Sequence, residues 1–393
     1  MELKTIKEII EDSDIPRDRV YELLRKKKIS DHQTNGKKLY DKKEIIKTLK
    51  ENHLTAEKKF KINKSNNSSF NAIELFSGCG GLALGFKNAG ITSDLLVEID
   101  KDSCETLYSN FQNTEIINDD IANIDFRSYK NTVDIVAGGF PCQAFSYAGK
   151  SKGFEDTRGT LFFDFARAVK ETNPKVAIGE NVKGLISHDK GRTLSTMIRT
   201  LESLGYNVQY KLLLAQYFNV PQKRERVFIV ATRKDLPNNY KYPEELDYFV
   251  PLGVALKDCP PSAGQEYPKR KKEIMDMVPQ GGYWKDLPIE IQKEYMKGSF
   301  YLGGGKTGTA RRLSLKEPSL TLVTSPAQGQ TERCHPTETR PLTIRESARI
   351  QTFPDNWKFT GSLGSQYKQI GNAVPVNLAY YVGKSVIKYL KDI

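Results

Sequence analysis

Gly138-Gly139-Phe140-Pro141-Cys142-Gln143-Ala144-Phe145-Ser146 follows directly on Val133-Asp134-Ile135-Val136-Ala137. The upstream half is an apolar, β-branched run, the pattern of a strand buried on both faces of a parallel sheet. Two glycines then permit a sharp turn. Pro141 restricts φ just before the thiol, so Cys142 leaves the strand's carboxyl end on a stiffened loop. In open α/β sheets that edge is where ligands bind. A cysteine met alone is read first as a core residue, because free Cys is among the most buried types. Its Gly and Pro neighbours place Cys142 in a turn instead.

The flanking sequence continues a doubly wound α/β pattern. Upstream, Ala72-Ile73-Glu74-Leu75-Phe76 reads as a strand, Ser77-Gly78-Cys79-Gly80-Gly81 as a glycine loop, and Leu82 to Ala89 as a helix stopped by Gly90. Backbone can approach a ligand closely at such a loop, with helix N–H groups pointing at it. Phe-x-Gly-x-Gly-Gly is not the Gly-x-Gly-x-x-Gly of dinucleotide sites, and no Gly-Lys-Ser/Thr follows. A second strand, Asp94 to Glu98, ends in a carboxylate where a ribose hydroxyl is commonly held. A third ends at Asp119-Asp120-Ile121, within reach of an adenine amino group. Each acid alone is an ordinary solvated strand end; their recurrence after successive strands is harder to dismiss.

Downstream, Gly149 to Thr157 is rich in glycine and charge, and Thr160 to Lys170 has a helical apolar face. Val176-Ala177-Ile178-Gly179-Glu180-Asn181-Val182 is another buried strand, which brings Glu180 near Cys142 if the two strands are neighbours. After a helix from Arg192 to Leu204 and a strand from Asn207 to Ala215 comes Pro221 to Val230. There Gln222, Arg224 and Arg226 alternate, so one strand would put all three on one face. From about Lys234 to Arg340 prolines interrupt the chain, and Lys269-Arg270-Lys271-Lys272 and Arg311-Arg312 make it basic. Regularity returns with a helix at Thr343–Thr352 and closes with one at Asn377–Leu390.

The first fifty residues read as a separate winged helix-turn-helix-like module. Thr5-Ile6-Lys7-Glu8 and Asp41-Lys42-Lys43-Glu44 fit capping boxes, and Asn35-Gly36 signals a tight hairpin between them. Residues 1–70 carry 18 Lys/Arg against 12 Asp/Glu, half of the chain's net charge of +12. Such a balance favours a polyanionic partner. The bland alternative is a helical interaction module whose lysines are merely solvated. The 393 residues hold five scattered cysteines and four histidines, without metal-ligand spacing or a disulfide pattern. The absence of a long apolar run and of a signal core after Met1 predicts a cytoplasmic protein with no membrane partner.

Together these segments resemble the C5-cytosine DNA methyltransferases of bacterial restriction–modification systems. The resemblance rests on Phe-x-Gly-x-Gly-Gly (76–81), Gly-Phe-Pro-Cys-Gln-x-Phe-Ser (139–146), Glu-Asn-Val (180–182), Gln-x-Arg-x-Arg (222–226), Arg-x-Leu-Thr-x-Arg-Glu-x-Ala-Arg-x-Gln-x-Phe-Pro (340–354) and Gly-Asn-x-Val (371–374), in family order. Glu74, where the family usually has Asp, and Ile99 depart from it conservatively. The resemblance implies a methyltransferase-type Rossmann sheet. The domains expected are a module at 1–53, a polar linker at 54–70, a catalytic domain at 71–235, an inserted target-recognition domain at 236–339 and a return to the catalytic domain at 340–393.

The activity implied is methylation of a flipped-out cytosine in double-stranded DNA, with S-adenosylmethionine as donor. Cys142 would be the nucleophile at C6, Glu180 the acid at N3 and Arg226 the cation at O2. Phe76, Gly78, Gly80, Gly81, Glu98, Ile99, Asp120, Ile121, Pro141, Leu161, Asn372 and Val374 would line the cofactor site. The resemblance also implies a monomer with a cognate restriction endonuclease as functional partner, and an N-terminal module that grips DNA or represses its own gene. Two rivals stay open here: a tRNA cytosine-5 methyltransferase, and a catalytically inactive DNA-binding regulator. The long variable stretch disfavours the first, and the intact Cys142, Glu180 and Arg226 disfavour the second.

Overall fold

A computed structural model of the chain describes residues 2–12, 15, 17–26, 28–34, 37–60, 69–140, 161–303, 307–329 and 331–393. Pro141, Cys142 and the Asn35-Gly36 turn lie outside the described residues. The apolar runs become strands β1 (Asn71–Leu75), β2 (Thr92–Glu98), β3 (Glu115–Asn118), β4 (Ile135–Gly138), β5 (Val176–Val182), β6 (Tyr206–Leu214) and β7 (Glu225–Arg233). They form one seven-stranded sheet in the order β3-β2-β1-β4-β5-β7-β6. β1 to β5 run parallel, and β7 is antiparallel to both its neighbours. The chain builds outward from β1 to β3, then crosses back to place β4 on the other flank of β1. That reversal opens a crevice between the carboxyl ends of β1 and β4.

Alternation along the strands buries both faces of the sheet. Ala72, Ile135, Ala137, Ile178 and Val230 pack in one cluster with Phe86 of α1 (Gly81–Ala89) and Leu378, Ala379 and Val382 of the closing helix, which spans Val376–Lys391. Ile73, Leu75, Val136, Ala177 and Ile229 face the other way. They meet Phe162, Phe165 and Val169 of the helix Leu161–Thr172 and Met197 and Leu201 of the helix Arg192–Ser203. The closing helix touches α1 so closely that a Cβ on Gly85 would sit 2.3 Å from Ala379 Cβ and 2.6 Å from the Val376 carbonyl oxygen. Gly85→Ala should therefore destabilise the protein by about 1–3 kcal/mol through overpacking, although alanine is the better helix former. Urea unfolding measures this; an unchanged midpoint would contradict the close approach.

Between β7 and the helix Ile344–Ile350 the chain is irregular, as its prolines predict, with short helices at Leu252–Leu256, Lys269–Asp276 and Ile289–Met296. This segment has its own apolar cluster, including Tyr267, Ile274, Met275, Trp284 and Met296. Loops replace regular pairing there, so buried carbonyls need other donors. Arg312 supplies them, donating to the carbonyls of Met275, Val278, His335 and Glu338.

The single strand expected over Pro221–Val230 is broken at Arg224. Gln222–Lys223 pairs in parallel with Ser319–Leu320 of the irregular segment, and the main sheet takes over at Glu225. A long-range partner divides what local alternation reads as continuous.

The N-terminal residues form helices Ile6–Glu11 and Arg17–Arg25, a three-stranded sheet centred on Lys37–Asp41, and a long helix Lys42–Lys59. Ile9, Val20, Leu23, Ile29, Tyr40 and Ile45 are their core. Thr5 makes the expected capping box with Glu8, whereas Asp41 caps by accepting from the Lys43 N–H alone. The long helix continues through 54–59, the first part of the expected linker, because Ala56 is buried with Tyr248 and Val250. No helix among the described residues is long and apolar enough to cross a membrane.

Candidate active site

The carboxyl edge of the sheet gathers the residues singled out from the sequence. After β1 the chain turns through Phe76 (φ 57°), Gly78 (φ 53°) and Gly80 (φ 83°), left-handed conformations that let it double back into α1. Two glycines make that affordable, while Phe76 adopts it despite its side chain. Glu98, ending β2, reaches over the loop: its Oε2 accepts from the Gly78 N–H at 2.7 Å and its Oε1 from the Ile99 and Asp100 N–H groups at 2.9 Å. Ile99 then stands 64% exposed, an unusual place for a large apolar side chain unless something flat covers it. Phe76, Ile121 and Leu161 belong to one apolar cluster beside it. Asp120 does not point free: its Oδ1 accepts from the Ala122 N–H at 3.0 Å, capping a single 3-10 turn. On the far side of α1, Gly81 lies against the Val374 carbonyl oxygen, and Asn372 is exposed at the end of the helix Leu363–Asn372.

Glu74 is buried one residue before the end of β1, with Oε2 unpartnered. Burial, with Glu98 nearby, pushes its carboxyl well above the usual carboxylate range. A buried acid without a donor is expensive. Sequence reasoning noted Glu74 only as a departure from a pattern; its place just before a glycine loop was the signal available. Phe76, Glu98, the loop N–H groups and Ile99 form a donor set that fits a cationic amino acid joined to an adenosine.

Register explains the second half of the site. Gly138 pairs with Gly179, so Gly139 comes level with Glu180, and a Cβ on Gly139 would lie 3.0 Å from Glu180 Oε2. Arg226 sits opposite Val182 on β7, two positions from the partner of Glu180, so the two side chains are diagonal neighbours on one face. Arg226 Nε meets Glu180 Oε1 at 2.8 Å, with both side chains nearly buried. Burial raises the Glu180 carboxyl above its ordinary value, with Arg226 and Arg224 opposing it, and burial lowers the Arg226 guanidinium. For both groups desolvation outweighs the pairing.

Gln222, Arg224 and Arg226 do not share one role. Arg224 is 1% exposed and points away from the carboxylate, donating to the Gly371 carbonyl at 2.9 Å. Gln222 accepts from the Leu322 N–H at 2.9 Å and donates to Gln351 Oε1, while Gln351 donates to the Ile370 and Ala373 carbonyls. The three therefore tie the irregular segment, the Asn372–Val374 loop and the Glu180 pair into one buried polar network. Asn181 likewise had no role from sequence; its Nδ2 donates to the Phe140 carbonyl at 2.7 Å, holding the backbone just before Pro141. Among the described residues no cluster of three metal-ligating side chains occurs.

A family model described as C-5 cytosine-specific DNA methylase matches residues 70–388. The chain belongs to that family. This methylase is 58% identical over 340 residues to the Type II methyltransferase M.Eco47II of Escherichia coli, covering 84% of this chain and 82% of that protein. It is 59% identical over 332 residues to M.PspPI of a Psychrobacter species, covering 82% and 80% of the two chains. Among solved structures, a DNA modification methyltransferase from an Escherichia coli prophage superposes with a TM-score of 0.60 at 25% identity, covering 82% of this chain and 100% of that one. The methylase is thus a DNA cytosine-5 methyltransferase of the Type II kind, and its family uses S-adenosylmethionine as methyl donor. The N-terminal module precedes the matched residues.

Proposed function

We propose that this methylase transfers a methyl group to C5 of a cytosine flipped out of a specific duplex sequence, with Cys142, Glu180 and Arg226 acting on the base. The observation that carries the reading is the buried Glu180–Arg226 pair, packed against Gly139 three residues before Cys142. Cytosine C5 is a weak nucleophile. Addition of the Cys142 thiolate to C6 makes the ring enamine-like, so that C5 can attack. Negative charge then develops on the ring, and a proton at N3 relieves it. Glu180, whose proton is held to higher pH by burial, is placed to give that proton and to anchor the amide edge. Arg226 keeps Glu180 oriented and offers its guanidinium to O2. Loss of the C5 proton lets the C6–sulfur electron pair return to sulfur.

S-adenosylmethionine, when bound, supplies an electrophilic methyl group. We infer that Glu98 holds its ribose and that Phe76, Ile99, Ile121 and Leu161 enclose its adenine, with Asp120 at the adenine edge. Gly78, Gly80, Gly81, Pro141, Asn372 and Val374 complete this site. The target base is inaccessible inside a duplex, and extruding it costs a few kcal/mol. Residues 236–339 read as the recognition domain and 1–53 as a DNA-binding module. A cognate restriction endonuclease is the functional counterpart, and the enzyme acts as a cytoplasmic monomer.

The test is bisulfite sequencing of DNA from cells expressing the protein. Cytosines protected at every copy of one short sequence are expected. Protection in tRNA and none in DNA would select the tRNA reading, and protection in neither would select the binding protein.

A further inference from the structure

The N-terminal module does not float beside the catalytic domain. It docks on a strap formed by residues 244–250, and it does so through cations. Arg25 Nη2 lies 3.0 Å from Glu245 Oε2, and its guanidinium covers the Tyr217 ring at 4.6 Å. Lys26 Nζ sits 4.3 Å from the same ring centre and donates to the Leu246 carbonyl. Lys28 Nζ donates to the Asp247 carbonyl and lies 3.3 Å from Asp247 Oδ2. A second contact anchors the long helix: Asn219 Nδ2 donates to the carbonyls of Lys59 and Phe60 at 2.7 and 3.1 Å, beside the Ala56–Tyr248–Val250 cluster.

The three cations end the second helix of a helix-turn-helix-like unit and open the loop after it. In such a unit basic side chains there are phosphate ligands. Here carboxylates and carbonyls take the places of phosphate oxygens. We propose that the strap 244–250 is an intramolecular phosphate mimic, which duplex DNA displaces from Arg25, Lys26 and Lys28. This rests on the DNA-binding reading of the module. The ion pairs suit a latch: Arg25 is 52% and Asp247 78% exposed, so each pair is weak and easily exchanged. The anchor through Asn219 keeps the released module tethered to the enzyme.

The experiment uses the full chain and a fluorescent duplex of A·T pairs only, which offers no cytosine to flip. Binding is titrated against salt for the wild type, for Glu245→Gln/Asp247→Asn, for Arg25→Gln/Lys28→Gln, and for the four changes combined. Glu244→Gln, at a neighbour that makes none of these contacts, controls for simple loss of negative charge. The acid-neutralised variant should bind tighter, with a plot of log affinity against log salt steeper by about 2, one unit for each cation freed. The combined variant should lose that gain, and methylation turnover on plasmid DNA should match wild type in the acid-neutralised variant. Equal binding by wild type and the acid-neutralised variant overturns the latch, as does an equal gain from Glu244→Gln. If Arg25→Gln/Lys28→Gln changes nothing in either background, the DNA-binding reading itself fails. If it weakens only the wild type's binding and neutralising the acids has no effect, the module binds DNA while docked, and the latch alone is refuted.

Discussion

Cys142→Ser should abolish covalent capture of DNA carrying 5-fluorocytosine at the target and lower turnover by roughly a thousandfold or more. Fluorine cannot leave C5 as the proton does, so the wild-type sulfur–C6 bond persists after methyl transfer and survives a denaturing gel. A serine hydroxyl ionises far less readily than a thiol, whose unperturbed pKa is about 8.5. The other cysteines cannot stand in. Burial pushes the thiols of Cys79, Cys104, Cys259 and Cys334 up, Cys104 to about 12 and Cys259 to about 11. Each is therefore kept as the unreactive thiol at neutral pH. An adduct that still forms with Cys142→Ser would move the nucleophile elsewhere in the chain.

Glu180→Gln should cut turnover by about 10²–10⁴-fold, the range for a lost general acid, while S-adenosylmethionine binding measured by calorimetry stays close to wild type. The amide preserves shape and can donate a hydrogen bond, but it cannot hand over a proton. The pH profile gives a second readout. Burial raises the folded-state pKa of Glu180, so the protonated acid persists to higher pH than an exposed Glu would allow. Activity that needs this proton declines as pH rises through that raised value, and the Gln variant should lack the decline. Gln also removes the partner of a nearly buried Arg226, so some stability should be lost with the charge pair broken. If cofactor affinity fell as steeply as turnover, Glu180 would belong to the other half of the crevice.

Much of this architecture was legible because each central strand is short, apolar and ended by a residue with a distinct backbone or charge signature. Glu98, Gly138 and Glu180 close β2, β4 and nearly β5, and Gly90 stops α1 with φ 108°. Such signals are local. The break at Arg224 was not legible, because Gln222 is held by a strand almost a hundred positions away. The helical course of residues 54–59 was likewise hidden: their local composition is polar, and what orders them is Ala56 against Tyr248 and Val250. Within the site, motif spacing located Glu180 and Arg226. The division of labour between Arg224 and Arg226 depends on which way each side chain turns at the junction of two sheets, and alternation alone gives them one face.

The pairing of Gln222–Lys223 with Ser319–Leu320 also bears on how such genes diversify. A new target preference can arise by recombination that replaces the irregular segment and spares the chemistry on either side. Yet Ser319 to Leu322 grips Gln222, and Gly371 lies so near the next residues that an added Cβ would meet the Thr324 nitrogen at 2.8 Å. Those few residues belong by descent with the scaffold, not with the exchangeable insert. A crossover before Ser319 keeps them with their partners, whereas one near Arg340 separates them. Hybrid genes that survive in nature should carry their downstream junction on the near side of that short strand.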